Sequence, residues 1–344
     1  MNKILLIISI QILLLLNFLM GKDLDSLKIS KWYNGYDAAL GLRFDDGLES
    51  HVKFVIPKLN EFNIKATFLV NPGRNSFLSS YKNYKDFWEN QVPQMGHRLG
   101  NHTMHHKGAE TVEEAEYEIG EVSKIIWKLY PDKSRLTVFA SGGGEEWGGK
   151  RWHKADQAYK DIAKKYNLID LYDGNHPAVS VSSEIKFDEL RDKLDQTIAE
   201  NELIVFCFHQ VGSPRIIDYL KRLFMKIDLA ISEEEFTKFI EYLNTKRDKV
   251  WVVPLVQLYK YQEEYKKSKL ELVKNYDKSI SYKLYIETDP ELYDQELSIK
   301  IPNSHIESNL EVKQDDRNIE VKKATKQYSI VNVKPVNSVI EIVY

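Results

Sequence analysis

The sequence has little cysteine, little excess charge and few long apolar runs, and each shortage excludes a class of protein. Cys207 is the single cysteine of the 344 residues, so the chain has no intrachain disulfide and no cysteine-rich zinc site. The 48 basic residues nearly balance the 51 acidic ones, and a net charge of -3 gives no electrostatic reason to expect a nucleic acid partner. A neutral substrate such as a carbohydrate suits this charge better.

The one long apolar run lies near the start of the chain, over residues 4–20. A short basic start, an apolar middle and the polar stretch Gly21-Lys22-Asp23 are typical of a secretory signal. We therefore predict a signal peptide over residues 1–21 and an exported protein. The alternative is an uncleaved membrane anchor, because about 20 apolar residues span a bilayer. No cysteine directly follows the run, which argues against a lipoprotein. We expect no integral membrane segment once the signal is removed.

The remaining chain is longer than the usual domain of roughly 100 to 200 residues, so we expect one large domain and one small one. From residue 36 to 265 apolar strand-like runs alternate with helix-like segments, which predicts a parallel barrel or open sheet wrapped by helices. From about residue 272 polar and apolar residues alternate, which predicts a small β-sandwich over 270–344. Residues 22–35 are predicted to be an N-terminal linker.

The first candidate motif is Phe44-Asp45-Asp46-Gly47, at the end of the apolar run 38–44. In parallel α/β folds the functional site lies on the loops that follow the strands. Successive side chains of a strand point to opposite faces, so one aspartate can bind a metal while the other contacts the reacting water. Alone, Asp-Asp-Gly is common in turns, and the pair becomes specific only together with a second motif.

The second motif is His102-Thr103-Met104-His105-His106. Two histidines four residues apart can face one ion if the segment is helical or tightly turned, and one carboxylate completes a set of three ligands. Such an ion lowers the pKa of a bound water from about 15.7 toward 7. The alternative is a solvated histidine cluster, and we expect His105 and His97 to be solvated or to support the ligands. The sequence thus favours a hydrolytic metal site.

Together the two motifs resemble those of the NodB-type polysaccharide deacetylases, carbohydrate esterase family four. The family's second motif is His, Ser or Thr, two variable residues and His, which fits His102, Thr103 and His106. A late apolar strand that ends in a histidine matches the run before His209. The resemblance covers roughly residues 36–262. It implies a distorted (β/α) barrel of the NodB-homology type, followed in this chain by the small C-terminal β-sandwich.

The resemblance also implies a role for each motif residue. Asp46, His102 and His106 would hold one divalent metal, usually zinc in this family and sometimes another ion. Asp45 would be the general base that activates water, and His209 the general acid that protonates the departing amine. These roles meet the needs of amide hydrolysis, which are an activated water, oxyanion stabilisation and a proton for the leaving nitrogen.

The family's third motif, Arg, a variable residue, Pro, an aromatic residue and Gly, is replaced here by Ala140-Ser141-Gly142-Gly143-Gly144. Loss of that arginine is expected to remove the cation that lowers the pKa of Asp45 and fixes its position. Gly143 and Gly144 are expected to present backbone N–H groups to an oxyanion. Trp147 either rebuilds the wall of the acetyl pocket or belongs to an exposed loop.

Two further residues are predicted to support the site. Thr103 would hold the motif turn by hydrogen bonding, and Asp173 would orient His209. The predicted function is that of a secreted, metal-dependent carbohydrate N-deacetylase, a hydrolase of a carbon–nitrogen bond outside peptides. One alternative is an O-acetyl esterase of the xylan type at the same site. The other is a non-catalytic carbohydrate-binding protein on a degenerate deacetylase domain, an interpretation supported by the altered third motif.

Overall fold

The computed structural model describes residues 27–76, 79–131, 133–142, 157–213, 229–276, 279–303 and 310–343. The predicted signal peptide over 1–21 lies outside them. The chain divides into two compact units. The barrel domain contains Tyr36–Lys266 and Thr288–Gln295, and the sandwich domain contains the described residues up to Gly35, Lys267–Glu287 and those of Glu296–Tyr344.

The strands, in chain order, are β1 (Lys28–Ile29), β2 (Ala38–Phe44), β3 (Thr67–Val70), β4 (Arg98–Asn101), β5 (Thr137–Phe139), β6 (Leu168–Asp170), β7 (Val179–Ser180), β8 (Leu203–Phe208), β9 (Gln210–Val211), β10 (Ala230–Ile231), β11 (Val250–Val252), β12 (Ser268–Tyr276), β13 (Ser279–Ile286), β14 (Leu297–Pro302), β15 (Glu311–Gln314), β16 (Arg317–Ile319), β17 (Val321–Ala324), β18 (Tyr328–Val333) and β19 (Ser338–Val343). The α-helices are α1 (Ile56–Glu61), α2 (Val92–Gln94), α3 (Val112–Leu129), α4 (Gln157–Lys165), α5 (Phe187–Ala199), α6 (Glu233–Thr245) and α7 (Leu255–Lys266). Wider helical turns at His51–Val55 and Phe87–Gln91 run directly into α1 and α2.

The main sheet of the barrel domain is parallel, with the order β6-β5-β4-β3-β2-β8-β7, and β11 pairs with the beginning of β2. Helices connect most successive strands of this sheet, and this is the distorted (β/α) barrel that the sequence predicted. Strand β2 is buried along its whole length, which explains its continuous apolar run. Because Phe44 pairs with Phe208, the residues that follow β2 and β8 lie side by side at the carboxyl edge of the sheet.

An aromatic cluster fills the core directly beneath this edge. The Phe44 ring stacks on Phe68 and Phe208, with centroids 5.0 and 5.2 Å apart, and Phe236 meets Phe208 edge-on. All four rings are fully buried. Large rings in van der Waals contact leave the strand ends little freedom to shift, so the polar residues that follow them are held on a rigid base.

Helix α3 begins directly after a capping residue, Thr111. The Thr111 hydroxyl accepts a hydrogen bond from the Glu114 N–H, at 3.1 Å, and caps the first turn. The apolar residues of α3 recur at intervals of three or four positions and form one face. Ala115, Ile119, Val122 and Ile126 pack this face against the barrel. Glu118 lies on this buried face as well, which the apolar spacing does not explain.

The sandwich domain consists of two antiparallel sheets, with the orders β1-β14-β18-β17 and β12-β13-β19-β15-β16. In β19 buried residues alternate with more exposed ones: Ile340 and Ile342 are fully buried, whereas Val339 is exposed. The segment predicted as a linker, 22–35, contributes β1, where Lys28 pairs with Lys300. Thr288–Gln295 groups with the barrel domain, whereas the sequence placed it in the sandwich. Within the described residues, no helix has the length and apolar character needed to cross a membrane.

Candidate metal centre and active site

Asp46, His102 and His106 come together at the carboxyl edge of the barrel sheet. Asp46 follows β2, and both histidines follow β4. The Asp46 Oδ1 atom lies 3.7 Å from His102 Nε2 and 3.1 Å from His106 Nε2. One donor atom from each residue lies within 4.8 Å of the other two. These three residues are the ligands that the family resemblance implies.

The backbone at these positions is turned sharply. Asp46, Thr103 and His106 have φ angles of 78°, 67° and 58°, in the left-handed region that residues other than glycine rarely adopt. The two histidines therefore face one point from a tight turn rather than from a helix. Such conformations cost about 1–3 kcal/mol each and cluster at functional sites, where surrounding contacts enforce them.

The donor set fits a divalent cation. His102 Nδ1 donates to the Ala140 carbonyl oxygen at 2.9 Å, which leaves Nε2 on the side of the ring that faces Asp46. Arg74 donates to Asp46 Oδ1 at 2.7 Å. Burial by itself would raise the pKa of the Asp46 carboxyl, but Arg74 and the two histidines hold it well below its usual range. A carboxylate beside two imidazoles is a donor set of the kind that zinc takes.

Asp45 is held by an arginine that the sequence analysis missed. Arg43 Nε and Nη2 donate to the two Asp45 oxygens, at 2.7 and 2.6 Å, and both side chains are buried. Burial would raise the pKa of Asp45, yet Arg43, His102 and His209 lower it to about 2. The expectation that Asp45 has no cation, based on Ala140, was therefore wrong. Residues two apart on a strand share a face, and this spacing was the available signal.

His209 lies close to the Asp45 carboxylate. Its Nε2 atom is 3.8 Å from Asp45 Oδ2, and its carbonyl oxygen accepts a hydrogen bond from His51 Nε2 at 2.7 Å. Burial lowers the pKa of the His209 imidazole, an effect that the charges of Asp45 and Asp46 oppose. In the described part of the chain, His209 Nδ1 has no hydrogen-bond partner.

The structure does not bring Asp173 to His209. Its carboxylate accepts hydrogen bonds from Asn175 and pairs with His176, at 3.0 Å, because residues 173–176 turn back on themselves. Tyr172 instead reaches the site, where its hydroxyl accepts a hydrogen bond from Arg43 at 2.9 Å.

The turn that carries the histidines is held largely through its backbone. The Thr103 N–H donates to Asn101 Oδ1 at 2.9 Å, and Asn71 Nδ2 donates to the carbonyl oxygens of His102 and Thr103. Among the described residues the Thr103 hydroxyl has no hydrogen-bond partner, so the expected hydrogen bond from this hydroxyl is not seen.

The predicted oxyanion and pocket residues, Gly143, Gly144 and Trp147, lie outside the described residues. The neighbouring Gly142 is described, and the fit around it is tight. A Cβ atom at Gly142 would lie 2.6 Å from His106 Cδ2 and 2.7 Å from the His102 carbonyl oxygen. A side chain at this position would therefore displace the turn that carries both histidines.

Comparisons with known proteins identify the barrel domain more closely. Residues 34–166 match the family model for polysaccharide deacetylase, whereas no curated protein matches the chain significantly. The matched stretch contains both motifs, from Asp45 and Asp46 to His102 and His106. It confirms that this part of the chain is similar to the NodB-type polysaccharide deacetylases, carbohydrate esterase family four, as the motifs predicted.

Several solved structures are similar to the chain. One is a mutant of a family four pseudoenzyme with restored activity, at 16% identity and a TM-score of 0.40, over 64% of this chain and 67% of that one. Another is a peptidoglycan N-acetylglucosamine deacetylase, at 20% identity and 0.39, over 66% and 89%. A third is the peptidoglycan deacetylase PdaC from Bacillus subtilis, at 18% identity and 0.36, over 67% and 92%.

Proposed function

We propose that this chain is a secreted, metal-dependent deacetylase that hydrolyses the N-acetyl amide of an N-acetylated carbohydrate. The observation that carries the proposal is the division of work between two consecutive aspartates. Asp46 faces His102 and His106, whereas Asp45 is held by Arg43 at 3.8 Å from His209. The proposed ligand and the proposed base are therefore neighbours in the chain, each held by its own arginine, Arg74 for Asp46 and Arg43 for Asp45.

Each residue of the site has a task in this hydrolysis. Asp46, His102 and His106 would hold the ion, and a bound divalent ion would acidify a water and polarise the acetyl carbonyl. Asp45 stays ionised at neutral pH because its pKa is about 2, so it can accept a proton from the attacking water. The carbon–nitrogen bond then breaks, and acetate and a free amine are the products.

His209 is the proposed donor of the proton that the leaving nitrogen needs. It lies half-buried next to two carboxylates, which favour its protonated form against the effect of burial. An imidazolium that forms during the reaction would be stabilised by these charges. Its place at the end of β8, opposite the end of β2, keeps acid and base on the same edge of the sheet.

The decisive experiment measures bound metal and acetate release in the wild type and in two variants. We expect His102→Ala to lose both the metal and the activity. Asp45→Asn should keep the metal but lose about 10²–10⁴-fold in rate, the usual contribution of a general base. A wild-type protein without divalent metal, or full activity in Asp45→Asn, would refute the proposed mechanism.

The choice of substrate separates the alternatives. An N-deacetylase releases acetate from chitooligosaccharides, whereas an O-acetyl esterase at the same site prefers acetylated xylan. A non-catalytic carbohydrate-binding protein releases acetate from neither. That last alternative had its support in the missing third-motif arginine, and the contact of Arg43 with Asp45 weakens this support.

A further inference from the structure

We propose that Glu118 on helix α3 is a positioning residue that holds the turn between His102 and His106 in its ligand-presenting shape. This inference rests on the proposed function, because it takes the two histidines as metal ligands. Glu118 is not one of the proposed ligands. It acts through Met104 and His105, which lie between the two histidines in the chain.

The side chain and the backbone carbonyl group of Glu118 make the contacts with the turn. Glu118 Oε2 accepts a hydrogen bond from the His105 N–H at 2.8 Å, and Oε1 lies 2.7 Å from His105 Nδ1. The Glu118 carbonyl oxygen accepts from the Met104 N–H at 2.8 Å. Three hydrogen bonds thus tie two successive residues of the turn to one position of the helix.

The opposite side of the turn is fixed by the loop after β3. The Gly73 N–H donates to the Met104 carbonyl oxygen at 2.8 Å, and a Cβ atom at Gly73 would come within 2.6 Å of His105 Nε2. The His105 ring is therefore confined between Gly73 and Glu118. The turn has little freedom to relax on either side.

The turn needs such support because its backbone is strained. Thr103 and His106 both have left-handed φ angles, which are unfavourable for residues other than glycine and persist only when neighbouring contacts enforce them. Without those contacts the histidine side chains would spread over several orientations, and a metal would have to order them on binding. Pre-ordered ligands avoid that entropy cost.

The burial of Glu118 points to the same role. It is 1% exposed on the apolar face of α3, between Ala115 and Val122, where a carboxyl group is costly unless it is hydrogen-bonded. A helix that only packed against the barrel would carry an apolar residue there. The hydrogen bonds to the turn account for a glutamate at this position.

The first arm of the test uses hydrogen exchange in the metal-free protein. In Glu118→Ala we expect the His105 amide to exchange about 10–100-fold faster, because a hydrogen bond to a charged group contributes about 1.5–3 kcal/mol. The Met104 amide, bonded to the backbone of residue 118, should change less. Glu118→Gln keeps an acceptor oxygen and should restore most of the protection.

The matched control is Glu114→Ala. Glu114 lies one turn earlier on α3 and also accepts hydrogen bonds from the preceding loop, from Lys107 and from the Glu110 N–H. We expect this variant to leave the exchange at His105 and the metal affinity unchanged. Thermal unfolding of every variant separates a local effect on the turn from a general loss of stability.

The second arm measures Zn²⁺ affinity by competition with a chromophoric chelator. Glu118→Ala should weaken binding about 10–100-fold, as loss of a residue that orients metal ligands typically does, and Glu118→Gln should recover most of it. Should Glu118→Ala not fold, Glu118→Asp keeps the charge, withdraws the carboxylate from the turn, and is expected to weaken binding in the same direction.

The two arms separate this inference from the proposed function. Unchanged exchange at His105, or faster exchange with wild-type Zn²⁺ affinity, would overturn the role of Glu118. A wild-type protein that binds no divalent ion would instead refute the proposed function. The positioning of the ligands by Glu118 would then be overturned with it, whereas the exchange data would still show whether Glu118 holds the turn.

Discussion

Arg43 holds Asp45 through two hydrogen bonds from a position only two residues earlier in the chain. Arg43 is the penultimate residue of β2, Asp45 directly follows this strand, and both side chains are shielded from water. The proposed base is therefore fixed by the adjoining strand, and its geometry does not depend on the third motif. A chain with an altered third motif can thus keep an ionised and oriented aspartate at this position.

Removal of the guanidinium should leave Asp45 as an uncompensated buried charge. We expect Arg43→Met to lower the free energy of unfolding by about 3–5 kcal/mol, the usual cost of breaking a buried ion pair on one side. Arg43→Lys, which keeps the charge but loses the fork of two donors, should cost less. Chemical denaturation of the three proteins measures this, and equal stability of wild type and Arg43→Met would contradict it.

The role of His209 as an acid predicts a dependence on the leaving group. In His209→Gln, hydrolysis of an N-acetyl sugar should slow by about 10²–10⁴-fold, because the amine must be protonated as it leaves. Hydrolysis of an aryl acetate should slow much less, since a phenolate leaves without a proton. Steady-state rates for both substrates provide the comparison. Equal losses on the two would assign His209 to another role.

The sequence predicted the elements of the barrel well wherever apolar runs mark them. Strand β2 coincides with the apolar run 38–44, and strand β8 ends at the residue before His209, as predicted. Strand β4 was missed because Arg98-Leu99-Gly100-Asn101 lacks an apolar run. These residues are buried by tertiary contacts, for example the guanidinium of Arg98 over the Tyr130 ring at 3.8 Å.

Prediction of the candidate site from the sequence was limited in the same way, because some of its contacts depend on tertiary structure. The motifs identified Asp46, His102 and His106, since their spacing belongs to the chain itself. The contact of Glu118 with His105 crosses from a helix to a loop, and no sequence period marks it. Residues whose partners are distant along the chain become visible only when the fold brings them together.

Gly142 should be intolerant of even one methyl group. In Gly142→Ala the new Cβ would meet backbone and ring atoms of the ligand turn at 2.6–3.0 Å, so His106 must move. We expect Zn²⁺ affinity to fall by about 10-fold or more, as for other changes that misorient metal ligands. Ser141→Ala is the neighbouring control. Isothermal titration of both variants tests this, and wild-type affinity in Gly142→Ala would contradict it.

Glu264 on α7 should make the stability of the barrel domain depend on pH. Burial raises the pKa of its carboxyl from 4.5 to about 8, although the Gln295 N–H and Lys260 oppose this. Between these values the folded chain retains a proton that the unfolded chain has lost. The free energy of unfolding should therefore fall as pH rises from about 5 to 8, by at most about 1.4 kcal/mol per pH unit.

Glu264→Gln removes this titration, so its stability should vary less over the same window. Glu241→Gln, on the exposed side of α6, is the control and should retain the wild-type dependence. Thermal melts at several pH values compare the three proteins. A slope that Glu264→Gln leaves unchanged would show that other groups cause it.

Cys207 lies on β8, where it pairs with Arg43 of β2; its Sγ is 3.6 Å from Asp45 Oδ2, and burial raises the pKa of its thiol. Only the thiolate reacts with alkylating reagents, so the buried, protonated thiol of the folded protein is protected from them. Because Cys207 is the single cysteine of the chain, any thiol labelling reports on this residue alone. The rate of thiol labelling gives the frequency with which strand β8 opens to solvent, and substrate or metal that tightens the barrel should slow it.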